Sequence, residues 1–421
     1  MKANVLSSLP RDIALARRGG AFAPRESAVA EAIVRAVRRE GDAGVLRIVR
    51  RFDRAGAGPR DLVVNATAIR RFARACPADT RRALDLAYAR IHAFHERQRP
   101  REARRRDRHG EVRLVPSALD RVGALVPRGI AAYPSTALMT GVPSQIAGVR
   151  ELVVASPMPR DGSVDPALAY ALELVDATTL YRAGGAAAVA ALAYGTASLG
   201  RVDKIVGPGN AYATAAKWLV SADVGIDALQ GPSELIVVAS GDADAGTLAL
   251  DLLAQAEHGG GAFAALLSDD GDLLRTIDRA LAAHRRARIF LYRAKDLLAA
   301  VKAADDAAPE HVLLAGRGAA ALAAHVRHAG AVFVGMRSAV AFGDYVAGTN
   351  HSLPTGGTAR WASALRVEDF VRWTSRVSLR GDLRRLARAG AAIAGHEGMR
   401  YHKASLEARV SDTLRSAVEV R

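Results

Sequence analysis

Apolar residues recur at three- and four-residue intervals through the first quarter of the chain, as in ESAVAEAIVRAVRREGDAGVLRIVRRFDR. That spacing predicts helices over residues 1 to about 112. DTRRALDLAYARIHAFHERQRP reads as one long surface helix that Pro100 ends. Beyond it the pattern changes. Short runs rich in β-branched and aliphatic residues (VGALVP, ELVVASP, DKIVGPG, ELIVVAS, AFAALLS, ARIFLYR, HVLLAG and AVFVG) alternate with alanine- and leucine-rich helical stretches. Such alternation predicts parallel sheets covered by helices. There are enough runs for two sheets, with a seam near Ser233, and polar helical text returns beyond residue 356. The expected fold is therefore α/β, with two Rossmann-like parallel-sheet domains. An N-terminal arm spans 1–20 and the helical part of the first domain 21–124. The two Rossmann-like domains follow over 125–233 and 234–365, and a helical C-terminal dimerisation arm over 366–421.

Composition narrows the picture. A single cysteine, Cys76, excludes a disulfide framework and any cysteine-cluster metal site. It fits a reducing cytoplasm. The N-terminal MKANVLSSLPRDIALARRGG lacks the apolar core of a signal peptide, and no run is long enough to span a bilayer. The net charge of +16 would admit nucleic acid, but it is spread along the chain. Its densest piece, RQRPREARRRDRHGEVR, is broken by Pro100, Gly110 and acidic residues and has no interleaved aromatics for base stacking. It reads as a solvated surface linker, and neither nucleic acid nor membrane is an expected partner.

Four stretches could carry chemistry. In LLAQAEHGGG a helix that Asp242 or Asp244 caps should stop at Gly259–Gly261. Leu248, Leu252, Gln255 and His258 share its inward face. Two buried polar groups there need partners. They are either a C-terminal histidine satisfied by the last carbonyls or half of a metal site with neutral nitrogen and oxygen donors. In AAPEHVLLAG, Glu310 and His311 stand at a strand end, where ligands bind in α/β sheets and where a carboxylate and an imidazole can share base duties. AFGDYVAGTNHSLPTGG holds Asp344, Asn350 and His351 in a loop, with Asp344 a plausible anionic ligand. DKIVGPGNAYATAAKWLV and YRAGGAAAVAALAYG put glycine turns before helices, which suits phosphate but lacks the dinucleotide fingerprint. QAEHG and APEHV, one in each half of the second region, hint at a duplication that is too short to establish.

The order of these motifs, with VDKIVGPGNAY, GPSELIVVA, DLLAQAEHG, PEHVLL and GDYVAGTNHSLPT, resembles histidinol dehydrogenase from about residue 30 to residue 415. The resemblance implies a homodimer with exchanged C-terminal arms that uses Zn2+ and NAD. It oxidises an alcohol to an aldehyde and then to an acid. It assigns zinc to Gln255, His258, Asp344 and the other subunit's His402. His311 would take the alcohol proton and Glu310 would activate water. Ser233, Gln255, His258, His311, Asp344, His351, Glu397 and His402 would surround the substrate, and Asn210 would touch the cofactor.

The cofactor side departs from the family pattern. Leu125 replaces an aromatic residue, Arg128 a glycine and Ala187 a glutamine, while Leu229-Gln230 replaces Pro-Ala. Besides histidinol oxidation, two alternatives stay open. One is a paralogue acting on another amino alcohol or an acidic diol, with Arg128 gripping an anion. The other is a zinc enzyme that has lost the NAD step and performs acid–base or hydrolytic chemistry.

Overall fold

The computed structural model describes residues 4–17, 20–129, 132–259, 261–284 and 287–411. They fall into two compact units, Met1–Arg99 with Ala118–Phe370, and Pro100–Ser117 with Val371–Arg421. Gly260, in the glycine run of the first motif, lies outside the described residues.

The first unit holds two six-stranded sheets. In chain order its strands are β1 (Asn4–Val5), β2 (Val63–Asn65), β3 (Arg121–Leu125), β4 (Glu151–Ala155), β5 (Thr179–Tyr181), β6 (Lys204–Val206), β7 (Gly225–Ile226), β8 (Glu234–Ala239), β9 (Phe263–Ser268), β10 (Ile289–Arg293), β11 (His311–Ala315) and β12 (Ala331–Val334). One sheet has the order β2-β5-β4-β3-β6-β7 and is parallel except for β2 against β5. The other has the order β1-β10-β9-β8-β11-β12 and is parallel throughout. Strands β8 and β9 are buried along their whole length because helices cover both faces of the sheet. Leu235 and Val237 pack on one side with the helix Ala245–Ala256. Ile236 and Val238 pack on the other with the helices Leu9–Ala16 and Leu297–Ala307.

Each sheet has one place where connections leave in opposite directions: between β3 and β6 in the first, and between β8 and β11 in the second. The β3/β6 point is crowded. Gly207 follows β6 with φ +94°, and a Cβ there would lie 2.5 Å from the Leu125 carbonyl, so only glycine fits.

All eight β-rich runs of the sequence form strands, but helices are not the whole of the remainder. The first 112 residues also supply β1 and β2. The arginine-rich stretch read as a linker is an antiparallel hairpin, Ala103–Asp107 paired with Gly110–Ala118. Its strands are held by cross-strand charge pairs, Arg104 to Glu111 at 2.5 Å and Arg113 to Glu102 at 2.5 Å. The tail beyond 356 is likewise not all helical: Val371–Leu379 adds a third strand to that hairpin before the helices Arg384–His396 and Arg400–Ala408. The long helix is Ala78–Glu96, and it buries Leu84, Ala87, Ile91 and His95 on one face.

Candidate active site

Asp244, not Asp242, caps the helix Ala245–Ala256, accepting from the Thr247 amide at 2.7 Å. Asp242 accepts from the Ser240 hydroxyl at 2.5 Å and from Arg317 instead. The inward face runs through Leu248 and Leu252 to Gln255, which is buried. His258 lies two residues past the helix and is exposed in the single chain. Its Nδ1 donates to the Gln255 carbonyl at 3.2 Å. A carbonyl only accepts, so Nδ1 carries a proton and Nε2 is the nitrogen left for a ligand. The histidine satisfied by a helix-end carbonyl is thus seen, while the expectation of two buried polar groups holds for Gln255 and is corrected for His258, which lies past the helix where its side chain meets solvent.

Gln255 reaches the neighbouring strand ends. Its amide nitrogen donates to Ser233 Oγ at 2.9 Å, which leaves Oε1 as its outward acceptor. Ser233 in turn donates to Glu310 Oε2 at 2.5 Å, and the Glu234 backbone amide donates to the same oxygen at 3.0 Å. Ser233 and Glu234 open β8, and Glu310 and His311 open β11, whose register sets Leu235 beside His311. His311 Nδ1 donates to the Glu234 carbonyl at 3.1 Å, so Nε2 carries the free lone pair. Burial pushes the Glu310 carboxyl up to about 8, against the hydrogen bonds from Ser233 and Glu234, which favour its charged form. Burial also lowers the His311 pKa and keeps the ring neutral.

The third segment closes on these groups. Asp344 sits in the short helix Val340–Tyr345, and its backbone carbonyl accepts from His351 Nδ1 at 3.0 Å. Burial raises the Asp344 carboxyl above the ordinary carboxylate range. Burial depresses His351 to about 4, so a second imidazole is neutral with Nε2 unprotonated. Buried Asn350 fixes the loop: it donates to the Met139 carbonyl at 2.6 Å and accepts from the Ser352 amide at 2.9 Å. Its amide also faces His95 Nε2 at 3.4 Å.

Ser233, Glu234, Glu310 and His311, with Gln255 bonded to Ser233, lie at the amino ends of β8 and β11. Glu310 and His311 thus stand at a strand end as the sequence predicts, but at the amino end rather than the carboxyl edge where α/β sheets ordinarily bind ligands. The physical reason is helix polarity. A crossover helix runs against its strands, so Ala245–Ala256 points its negative C-terminal end at the amino edge, which suits a cation better than a phosphate.

The carboxyl edge of the first sheet has the opposite character. At its β3/β6 crevice Leu125 is buried, while half-buried Arg128 lines a small pocket with Ser156, Asp165 and Arg182 beyond the ends of β4 and β5. Asn210 is exposed and caps the helix Ala211–Val220, accepting from the Ala213 amide at 3.0 Å. Ala187 is fully buried in the first turn of the helix Gly185–Tyr194. Beneath the Gly207 turn lies a group that sequence reasoning missed. Lys217 is buried and donates to Asp227, to the Gly207 carbonyl at 3.1 Å and to Gln230 Oε1 at 3.1 Å. Asp227 accepts from the Gly207 amide at 2.7 Å. The departure at position 230 thus sits in a buried polar network rather than on the surface.

Glu397 and His402 belong to the second unit, at the end of one tail helix and within the next, and both are exposed. Among the described residues of one chain no three His, Cys, Asp or Glu side chains form a metal-holding group. One chain brings together Gln255, His258 and Asp344 with Ser233, Glu310, His311 and His351.

Residues 17–410 match the family model described as Histidinol dehydrogenase. The chain is 41% identical over 402 residues to the histidinol dehydrogenase of Ruegeria pomeroyi, covering 92% of this chain and 93% of that one. It is 42% identical over 399 residues to that of Bradyrhizobium diazoefficiens, covering 91% and 92%. In structure it is similar to crystalline histidinol dehydrogenase from Elizabethkingia anophelis, with a TM-score of 0.85, 28% identity and 92% of each chain covered.

Proposed function

The chain belongs to the histidinol dehydrogenase family, and we propose how its own residues carry that family's zinc-dependent, NAD-linked oxidation of an amino alcohol to an acid. Gln255 Oε1, His258 Nε2 and the Asp344 carboxylate hold zinc, with His402 of the partner subunit as fourth ligand. The donor chemistry supports this set. Three neutral donors and one carboxylate suit zinc and leave a site of low anionic charge, into which a substrate amine and imidazole can enter. When bound, the metal would supply orientation and polarisation of the substrate, and the nicotinamide would supply the hydride acceptor.

The remaining work falls to the pair at the strand ends. His311, neutral and held through Nδ1, accepts the hydroxyl proton on Nε2. Glu310, whose burial makes it a stronger base than an ordinary carboxylate, takes a proton from water as it attacks the aldehyde carbon. Ser233 links this base to Gln255 and positions both. His351 walls the substrate pocket, and Glu397 of the partner subunit, with Ser233, holds the substrate.

Members of the family are homodimers. Exchange of the C-terminal arms is supported by the apolar surface of the second unit, where Val112, Leu114, Val377, Leu379 and Ile393 are exposed. It is also supported by an open groove of about 930 Å³ in the first unit, lined by Phe94, Val332, Phe342 and Val346 among others. Among the described residues no helix is long and apolar enough to cross a membrane.

The observation that carries this reading is the continuous line from Gln255 through Ser233 to Glu310, with His311 tied to the strand between them. The deciding experiment is to purify the protein, measure its zinc and follow NADH formation from histidinol. One zinc per subunit with two NADH per histidinol supports the proposal; oxidation that survives exhaustive chelation rejects it. A second reading, an alcohol bearing an anionic group, is favoured by half-buried Arg128, whose fork suits a planar anion and which lines a pocket beyond the ends of β4 and β5. It predicts NADH formation from such an alcohol at a higher kcat/KM than from histidinol.

A further inference from the structure

We propose that Arg17 is a positioning residue for this oxidation: by clamping the Glu234 carboxylate it fixes the backbone amide and carbonyl that aim Glu310 and His311. The inference rests on the acid–base roles given to that pair above. Arg17 Nε donates to Glu234 Oε1 and Nη2 to Oε2, each at 2.7 Å, a two-pronged fork spanning 217 positions of sequence. The Glu234 side chain is only 2% exposed. The Gly356 amide adds a third donor at 3.2 Å. The backbone of the same residue donates to Glu310 at 3.0 Å and accepts from His311 at 3.1 Å. Glu234 thus faces the base and the imidazole with its main chain, and Arg17 with its side chain.

The clamp has a firm base. Arg17 follows the helix Leu9–Ala16, whose Leu9 and Ile13 are buried in the core of the second sheet. Tyr292 donates to Asp12 at 2.9 Å, and β1 pairs with β10. From the other side Gly357 closes in with φ +85°, and a Cβ there would lie 2.9 Å from Arg17 Nη1. A buried ion pair is a poor way to gain stability, because an apolar pair of similar volume does as well. What a guanidinium–carboxylate fork adds is orientation. It also neutralises a carboxylate whose charge otherwise raises the proton affinity of Glu310.

The test uses full-length, zinc-loaded enzyme with histidinol, comparing wild type, Glu310→Gln, Arg17→Lys, Arg17→Met and Arg17→Met/Glu234→Gln. Hydrogen–deuterium exchange of the segments 233–239 and 309–315 is measured alongside. Arg17→Met should lower kcat by up to about 100-fold, the scale of a misplaced reacting group, with KM unchanged. Its acid limb in the pH–rate profile should move to higher pH, and both segments should exchange faster. Arg17→Lys should recover part of the rate. Arg17→Met/Glu234→Gln should return the acid limb and the thermal stability but not kcat. Wild-type kcat, pH profile and exchange in Arg17→Met, with only a lower melting temperature, would overturn the proposal. A Glu310→Gln enzyme with wild-type kcat would instead sink the acid–base assignment, and unaltered exchange in Arg17→Met would then sink the clamp as well.

Discussion

Replacing Asp227 by Asn tests the floor of the β3/β6 crevice. Asn has almost the shape of Asp, but besides removing the charge it turns one of two oxygens that accept from Gly207, Lys217, Ala228 and Gln230 into an N–H donor. It leaves the Lys217 ammonium, 1% exposed, without its counter-charge. Breaking one side of a buried ion pair costs about 3–5 kcal/mol. The Gly207 carbonyl and Gln230 Oε1, each at 3.1 Å, still accept from the ammonium, which places the cost at the lower end, about 3 kcal/mol. With an unfolding entropy of roughly 2 cal/mol/K per residue over 421 residues, the melting temperature falls by about 4 °C. The companion Lys217→Met/Asp227→Asn buries no charge and should regain most of the loss. Differential scanning calorimetry and urea titration read the stability, and fluorescence titration reads NAD affinity, which should weaken as the Gly207 turn shifts. A melting temperature within about 1 °C of wild type for Asp227→Asn, or a double variant as unstable as the single one, would refute the reasoning.

Four further outcomes are expected. His258→Ala should lose zinc, measured by atomic absorption, and turnover with it; a variant that keeps stoichiometric metal removes His258 from the ligand set. Glu310→Gln should release aldehyde, detected by a carbonyl-trapping reagent, with the second oxidation reduced about 10²- to 10⁴-fold and the first nearly intact; equal loss of both steps contradicts its role with water. Ala187→Gln should tighten NAD binding in calorimetry, and no change would mean that the buried position does not face the cofactor. Asp53→Asn should stabilise the fold at pH 7. Burial lifts the Asp53 carboxyl to about 6, so the native state holds this proton more tightly than the unfolded chain. The penalty for burying the charge is absent below the ordinary value near 4, grows as pH rises and is complete above about 6. The stability gain of the variant should therefore vanish on acidification to about pH 4, and a gain that persists there assigns the effect to packing.

The parts of this molecule written in local pattern were legible. Strands such as ELIVVAS and AFAALLS are buried on both faces and read as continuous apolar runs. Gln255 and His258 stood out because a polar pair on the inward face of a helix breaks its periodicity. What failed was short or charged. Thr179–Tyr181 has three residues, too few for a period. The hairpin from Ala103 has arginines on both faces, so nothing alternates until pairing partners are known. The links between elements left no trace at all. Nothing in the text ties Ser233 to Gln255 and Glu310, Arg17 to Glu234, or Lys217 to Asp227, because each depends on which strand ends meet in space.

Three imidazoles here, on His258, His311 and His351, each give Nδ1 to a main-chain carbonyl. A ring held that way cannot turn over without giving up its tether, so its tautomer is inherited from the fold rather than chosen on meeting a ligand. The disorder of aiming three lone pairs is lost once, as the chain folds, and not again at every turnover.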